Sequence, residues 1–217
     1  MFIFSNLAIS LDGKIATANR IHFPLGTDYD RKQMQVLRRK CDAVLMGAST
    51  LRAFKRPCLV KNTKKQPVNV ILSSKLKGIS PDWPFFKDTH LKRILFVDSR
   101  ISSKKLRDFK ENSKIIRLKP ETPKNTTARQ IIRVLEQFKI RCLLIEGGGG
   151  VMWDFVSQNL IDEYHVTLTP WLIGGGKSPT LVDGLGFFPD EVIGLKLKKC
   201  RRIGDELYLT YCRARSA

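Results

Sequence analysis

Short apolar runs recur along this chain, separated by segments in which apolar residues follow a helical spacing. The runs contain few polar residues, which is typical of strands that are buried on both faces. Strands are predicted at residues 2–9, 43–46, 68–72, 94–97 and 142–145. Because strands and helices alternate, the pattern predicts an α/β fold: a mostly parallel sheet flanked by helices on both faces.

Two of the intervening segments have the pattern of amphipathic helices. The sequence from Thr27 to Asp30 resembles a capping box, in which an acidic residue follows the N-cap by three positions. The predicted inner faces are Met34, Leu37 and Cys41 in the first helix, and Ile131, Leu135 and Phe138 in the second. Both helices are expected to pack on the sheet through these faces.

The last part of the chain changes to alternating apolar and polar residues. Residues 164–169, 195–203 and 206–212 have this two-residue period, and residues 203–206 form a turn between the last two segments. The pattern predicts an antiparallel hairpin that completes the sheet. Residues 76–91 are expected to form a long surface excursion. No linker is evident, so a single domain is expected over residues 1–217.

The charge balance is unusual, because 39 Lys+Arg oppose 20 Asp+Glu and give a formal net charge of +19. The electric field of so positive a protein attracts polyanions. A basic nucleic-acid-binding module is therefore a rival hypothesis. The basic residues are spread over the whole chain and form no basic block or tail. A solvated basic surface is favoured, recruitment of small phosphorylated ligands comes second, and nucleic acid comes third.

The cysteines and the N-terminus indicate the compartment. Five cysteines without a CxxC pair favour free, buried thiols over disulfides or a zinc site. The N-terminus lacks the basic segment of a signal peptide, and no apolar run reaches membrane-spanning length. We therefore expect a cytoplasmic protein with no membrane partner and no metal.

Four consecutive glycines, 147–150, follow the predicted strand at 142–145 and the carboxylate of Glu146. Glycine allows a tight turn and close approach to the main chain, and the helix start that follows offers free N–H groups to a phosphate. The run lacks the GxGxxG spacing, so phosphate binding and a merely tight turn both stay open. A second cluster, residues 174–178, fails the phosphate-loop spacing and predicts a plain loop.

Two other polar residues stand where a cleft could form. Asp12 follows the first strand in an Asp-Gly turn, and an acidic residue at that strand end could line a cleft. His22 lies in the next loop, where an exposed histidine without a function is the commoner case. The sequence has no Ser-His-Asp set, paired carboxylates or metal-ligand spacing. A glycine-lined cleft without a nucleophile fits hydride transfer, in which a cofactor supplies the chemistry.

Three motifs in order suggest a family: N-L-A-I-S-L-D-G-K-I-A at 6–16, R-R-K-C-D-A-V-L-M-G-A-S-T at 38–50, and I-E-G-G-G-G at 145–150. Together they resemble the reductase domain of riboflavin biosynthesis, the partner of the pyrimidine deaminase, over residues 2–212. The resemblance implies a dihydrofolate-reductase-like fold, a homodimer and NADPH as cofactor. It implies hydride transfer to the ribosyl C1′ of a (di)aminopyrimidine ribosylamine 5′-phosphate. No deaminase signature is present, so only the reductase half is expected.

The resemblance also assigns candidate residues position by position. On the cofactor side, the matching residues are Ala8, Thr50, Ser74, Gly148, Gly149, Gly150 and Val151. On the substrate side, they are Asp12, His22, Arg38 and Glu146. The substrate phosphate is expected to contact Arg56 or Lys61, and the pattern does not decide between them.

One position departs from the family. Relatives usually carry an Asp four residues after the threonine that matches Thr50, and this chain has Phe54 there, followed by Lys55-Arg56-Pro57. The change removes a carboxylate from the cofactor side and adds positive charge. A reductase of the same fold that acts on another small substrate is therefore an alternative.

Overall fold

The computed structural model describes residues 1–214, in which one sheet is formed by nine strands. The strands are β1 (Phe2–Ile9), β2 (Ala43–Gly47), β3 (Val68–Leu72), β4 (Arg93–Asp98), β5 (Lys114–Leu118), β6 (Cys142–Ile145), β7 (Glu163–Leu168), β8 (Leu195–Ile203) and β9 (Glu206–Arg213). The helices are α1 (Asp28–Lys40), α2 (Ala48–Phe54), α3 (Pro84–Lys87), α4 (Ser103–Leu106), α5 (Thr127–Gln137) and α6 (Gly149–Val156), with a 3₁₀ turn at Arg107–Phe109.

The strand order is β5-β4-β3-β2-β6-β1-β7-β9-β8. The pairs from β5 to β7 are all parallel, whereas β9 runs antiparallel to both β7 and β8. The predicted parallel sheet and C-terminal hairpin are confirmed. After β1 the chain builds the sheet in one direction through β2 to β5, and after β6 it continues on the other side. Such a reversal opens a crevice at the carboxyl ends of the strands.

Each face of the sheet packs against its own set of helices. Val44 and Met46 of β2 point to the face that is covered by α1, α2, α3 and α4, while Ala43 and Leu45 point to the face covered by α5 and α6. This alternation gives two apolar cores, one on each side of the strands. Burial on both faces explains why the central strands contain few polar residues.

The predicted capping box at the start of α1 is wrong, although the helix begins at the predicted place. Thr27 is the N-cap residue but makes no side-chain cap hydrogen bond. Its backbone N–H and hydroxyl donate instead to Glu206 Oε1 and Oε2, at 2.9 and 2.6 Å. The Asp30 side chain is also engaged elsewhere, because it accepts a hydrogen bond from Thr167. Tertiary partners on β7 and β9 have replaced the local cap.

Two packing predictions also fail. Phe138 is 45 % exposed beyond the end of α5, so the inner face of that helix consists of Ala128, Ile131 and Leu135. The segment 76–91 is not a surface excursion, because Phe85 and Phe86 of α3 are fully buried in the core under β3 and β4. The prolines of this segment interrupt the helical spacing of apolar residues in the sequence. Its aromatic side chains nevertheless bury a large apolar area in the core.

The remaining features concern the edge strand, the thiols and the membrane. The edge strand β5 and the seven-residue helix α2 were not predicted, because both are short and half-exposed.

All five cysteines are free; Cys41 and Cys58 are buried, and Cys200 is exposed. Among residues 1–214, no helix is long and apolar enough to cross a membrane.

Candidate active site

A cleft of about 1740 Å³ opens at the carboxyl ends of the parallel strands. Its walls include Ala8 from β1, the start of α2 after β2, Ser74 after β3, and the turn 146–150 after β6. These segments meet because parallel strands end on the same edge of the sheet. The cleft extends from α1 at one end to the segments that follow β3, β4 and β5 at the other.

A buried ion pair forms the wall of the cleft at the α1 end. The Arg38 guanidinium donates through Nε to Glu146 Oε1 at 2.7 Å and through Nη2 to Oε2 at 2.6 Å. The two side chains are only 12 % and 10 % exposed. Burial opposes the charge of Arg38, but attraction to Glu146 outweighs it and raises the pKa of the guanidinium. Such a bidentate pair fixes both side chains in one geometry.

The thiol of Cys58 completes this cluster. Its Sγ–H donates to Glu146 Oε2 at 3.4 Å, and the residue is buried. Burial, and next the negative charge of Glu146, raise the pKa of Cys58 well above the ordinary thiol value. Cys58 therefore stays protonated at neutral pH and serves as a hydrogen-bond donor, not as a nucleophile.

The glycine turn after β6 depends on close backbone approach. The N–H of Gly47 donates to the carbonyl of Gly147 at 2.8 Å, which joins the turn to the end of β2. Gly147 has a φ of +95°, and its peptide bond to Gly148 is cis. A Cβ on Gly149 would lie 2.6 Å from the carbonyl oxygen of Thr180, so the 180–183 loop fits only against glycine here.

The predicted cofactor-side residues lie together along the cleft. Ala8, Ser74 and all members of the set Thr50, Gly148, Gly149, Gly150 and Val151 line it. The hydroxyls of Ser49 and Thr50 come within 3.6 and 3.7 Å of the position that a Gly148 Cβ would take. Since α6 begins at Gly149, its free N–H groups and these hydroxyls face the same space.

Basic side chains surround the far end of the cleft. The lining there includes Arg52, Lys75, Lys77 and Arg100. Arg100 donates through Nε and Nη2 to Asp98 at the end of β4, at 2.9 and 2.6 Å. Those hydrogen bonds lower the pKa of Asp98, so its charge is neutralised by Arg100 and the region keeps an excess of positive charge.

The predicted substrate-side residues are only partly brought together. His22, Arg38, Arg56 and Glu146 line the cleft, whereas Lys61 does not line it within the described chain. The Lys61 backbone is instead tied to α1, since its N–H donates to Gln35 at 2.8 Å.

Asp12 also lies outside the cleft lining in the described part of the chain. Its carboxylate accepts hydrogen bonds from Ser10 Oγ and from the backbone N–H groups of Ile173 and Gly174, at 2.6, 3.1 and 2.6 Å. These bonds lower the pKa of Asp12 to about 2. The residue thus holds the 173–174 loop against the end of β1.

Phe54, which stands where the resemblance implies an Asp, meets His22 in the lining of the cleft. The two ring centroids are 4.8 Å apart in an edge-to-face arrangement. The aromatic contact links the end of α2 to the loop that precedes α1.

Residues 1–209 match the protein family described as RibD C-terminal domain. The chain belongs to this family. It is 28 % identical to the 2,5-diamino-6-ribosylamino-4(3H)-pyrimidinone 5′-phosphate reductase of Archaeoglobus fulgidus, over 96 % of both chains. It is 26 % identical to the enzyme of the same name from Methanothermobacter thermautotrophicus, over 97 % of both chains. It spans 56 % of the riboflavin biosynthesis protein RibD of Bacillus amyloliquefaciens, at 28 % identity.

Solved structures support the same fold. A pyrimidine reductase-like protein from Corynebacterium diphtheriae superposes with a TM-score of 0.86 at 18 % identity, covering 99 % of this chain and 92 % of that one. Dihydrofolate reductase from Enterococcus faecalis gives a TM-score of 0.56 at 13 % identity, covering 99 % of this chain and 97 % of that one. The predicted family and the predicted dihydrofolate-reductase-like fold are confirmed.

Several residues of this RibD-family cleft were not singled out from the sequence. Asn6, Ser49, Cys58, Asp30 and Asp154 all line it. Asn6 could have been found, because it lies two positions before Ala8 and shares its face of β1. The two aspartates gave no such signal. Among residues 1–214, no group of three or more His, Cys, Asp or Glu side chains is placed to hold a metal ion.

Proposed function

We propose that this chain is an NADPH-dependent reductase of a (di)aminopyrimidine ribosylamine 5′-phosphate in riboflavin biosynthesis. The substrate class follows the names of the relatives that match almost the full chain. The observation that carries the proposal is one continuous cleft that is lined both by the buried Arg38–Glu146 pair and by the glycine turn that follows Glu146. A reductase needs both a nucleotide site and a rigid polar site for the reacting group.

The residues present fit a dinucleotide phosphate. Gly150 has open space where its Cβ would stand, and the N–H groups at the start of α6 can meet the pyrophosphate. Lys75 and Arg52 at the far end supply positive charge for a 2′-phosphate, which favours NADPH over NADH. When it is bound, this cofactor supplies the hydride for the reduction.

The Arg38–Glu146 pair would orient the substrate. Both carboxylate oxygens already accept from Arg38, yet a carboxylate has about four lone-pair sites and can accept further hydrogen bonds from the cleft. Glu146 can therefore bind N–H or O–H groups of the substrate in a fixed geometry. Of the two candidates for the substrate phosphate, Arg56 lines the cleft and Lys61 does not, so we assign this role to Arg56.

The test is a cofactor titration followed through tryptophan fluorescence, since Trp153 lines the cleft. We expect saturable NADPH binding that is weaker for NADH. Glu146→Gln should keep cofactor binding and lose turnover of the pyrimidine ribosylamine phosphate, whereas Glu111→Gln, at an exposed position, should match the unmodified protein. Absence of saturable binding at millimolar NADPH would refute the proposal.

A further inference from the structure

Asp30 places an unassigned carboxyl group in the substrate end of the cleft. It lies in the first turn of α1 and lines the cleft. Its Oδ1 accepts a hydrogen bond from Thr167 Oγ1 at 2.7 Å. Thr167 is the register partner of Ala8, so this bond brings the carboxyl group to the end of β1, on the face where Ala8 contributes to the cleft.

The chain makes room for this carboxyl group at Gly26. A Cβ added to Gly26 would lie 2.6 Å from the Asp30 Cβ and closer still to the carboxyl atoms, so a larger residue would displace the side chain. Among residues 1–214, Oδ2 of Asp30 has no hydrogen-bond partner, although it is not sealed from the cleft. One oxygen is thus fixed by Thr167, and the other is available to a ligand.

The surroundings of Asp30 favour its protonated form. Burial raises the pKa of the carboxyl group, and the hydrogen bond from Thr167 opposes this in part. The negative charges of Glu206, from β9, and Glu146, after β6, raise the pKa further, while Arg31 on α1 lowers it. Arg31 is itself paired with the exposed Asp28, which weakens its influence.

The other groups that face this site do not supply a competing positive charge. Tyr208 on β9 donates its hydroxyl hydrogen to Glu206, and burial raises the pKa of that phenol, so it stays neutral. Arg201 on β8 is turned toward the hydroxyl of Tyr29, at 2.9 Å. Asp30 therefore lies near the carboxylates of Glu206 and Glu146, while Arg31 is engaged by Asp28 and Arg38 by Glu146.

We propose, building on the proposed function, that Asp30 is the general acid of the reduction and donates the proton from Oδ2 to the substrate nitrogen. Addition of a hydride to C1′ of the ring-opened imine forms a C–H bond and moves the C=N electron pair to nitrogen. That nitrogen then takes the Asp30 proton, which gives the amine and leaves a carboxylate. Water in the open cleft returns the proton after each turnover. The imine is reduced, and NADPH is oxidised to NADP⁺.

Three other polar side chains that line the cleft near α1 are less suited to this task. Both oxygens of Glu146 accept hydrogen bonds from the Arg38 guanidinium, so this side chain serves as a hydrogen-bond acceptor. The Cys58 thiol is buried and already donates to Glu146. His22 is exposed and packs edge-to-face on Phe54 at the mouth of the cleft.

The test compares Asp30→Asn with Asp28→Asn, an exposed carboxyl in the same helical turn. Single-turnover NADPH oxidation is measured from pH 5 to 9, and cofactor affinity is measured by Trp153 fluorescence. In the unmodified protein the rate should fall as the pH rises through the Asp30 pKa. Asp30→Asn should slow single-turnover NADPH oxidation by about 10²-fold or more. It should also abolish the fall in rate at alkaline pH (the alkaline limb), with unchanged cofactor affinity. Asp28→Asn should neither slow the single-turnover step nor change its pH dependence.

Thr167→Val gives an independent readout that does not depend on turnover. Removing the donor to the Asp30 carboxylate should raise the Asp30 pKa, measured in the ligand-free protein by ¹³C NMR of the aspartate carboxyl resonances, and should move the alkaline limb to higher pH by the same amount. Unchanged rates and pH profile in Asp30→Asn would overturn the inference while leaving the proposed function standing. Loss of substrate affinity alone, with the single-turnover rate and pH limb intact, would overturn it as well, because Asp30 would then only bind. No turnover in the unmodified protein would instead refute the proposed function.

Discussion

At the scale of single residues, two acidic side chains in one cleft take opposite properties from their neighbours. Glu146 is bound on both oxygens by Arg38 and stays an acceptor. Within the described part of the chain, Asp30 has only the Thr167 hydroxyl as a hydrogen-bond partner, and burial raises its pKa. The side chains of Glu146 and Asp30 both end in a carboxyl group, and their neighbours give them different roles. In the proposed reaction, Glu146 binds the substrate, whereas Asp30 donates a proton.

The assignment of the substrate phosphate is tested at the same scale. Arg56→Ala should raise the KM for the phosphorylated substrate about 10-fold or more, because a charged hydrogen bond contributes about 1.5–3 kcal/mol. The turnover number should change little, since this contact is made before and during the reaction. Lys61→Ala is the matched control. Its KM and turnover number, measured by steady-state kinetics, should equal those of the unmodified protein. A larger effect from Lys61→Ala would reverse the assignment.

Asp154 gives a prediction about stability. Burial, together with the charge of Glu121, raises the pKa of Asp154 from 3.8 to about 6. An acid whose pKa is raised on folding costs stability once the pH exceeds its unfolded value, so the cost develops between about pH 4 and pH 6. Asp154→Asn should therefore stabilise the fold at pH 8 by about 1–3 kcal/mol and have no effect below pH 4. Urea unfolding at both pH values measures this, and equal stability at pH 8 would contradict it.

At the scale of secondary-structure elements, the start of α6 and the 180–183 loop form one wall of the cleft. A Cβ on Gly149 would meet the Thr180 carbonyl and the Asp183 carboxylate, whereas a Cβ on Gly150 would meet nothing within 4 Å. Gly149→Ala should displace the loop and lower the unfolding free energy by about 1–3 kcal/mol.

Gly150→Ala is the matched control, because it adds the same group one residue later in the same helix. It should leave the unfolding free energy unchanged or raise it by about 0.5–1 kcal/mol through helix propensity. Both variants should weaken NADPH binding, since both crowd the backbone at the proposed pyrophosphate site. Equal stability of the two variants in urea unfolding would contradict the close approach at Gly149.

The elements also show what the sequence could and could not predict. The central strands and the C-terminal hairpin follow from hydrophobic period and turn residues, which are local signals. The sequence motifs at the ends of β1, β2 and β6 contain many of the residues that line the cleft. The role of Asp30 was missed because its partner, Thr167, is 137 residues away, and the local spacing suggested a cap. The burial of Phe85 and Phe86 was missed because proline-rich segments lack periodicity.

At the scale of the whole molecule, we propose a homodimer that forms along the exposed edge strand β8. Leu195 and Leu197 of this strand are 39 % and 49 % exposed, and among residues 1–214 β8 has a paired neighbour only on the β9 side. Such an edge is available for pairing with a second copy. Sedimentation should give a dimer that Leu197→Lys weakens, while Leu185→Lys, equally basic and on a separate exposed loop, should not. A monomer at all micromolar concentrations would contradict this.

The central claim is that the cleft reduces a phosphorylated pyrimidine ribosylamine with NADPH. The most direct measurement combines the protein, NADPH and 2,5-diamino-6-ribosylamino-4(3H)-pyrimidinone 5′-phosphate, follows absorbance of NADPH, and identifies the product by mass spectrometry. We predict saturable oxidation of NADPH with one equivalent of a product that is two hydrogens heavier, and loss of both the oxidation and the product in Glu146→Gln. Saturable NADPH binding without any such product, from this substrate or its deaminated form, would contradict the account.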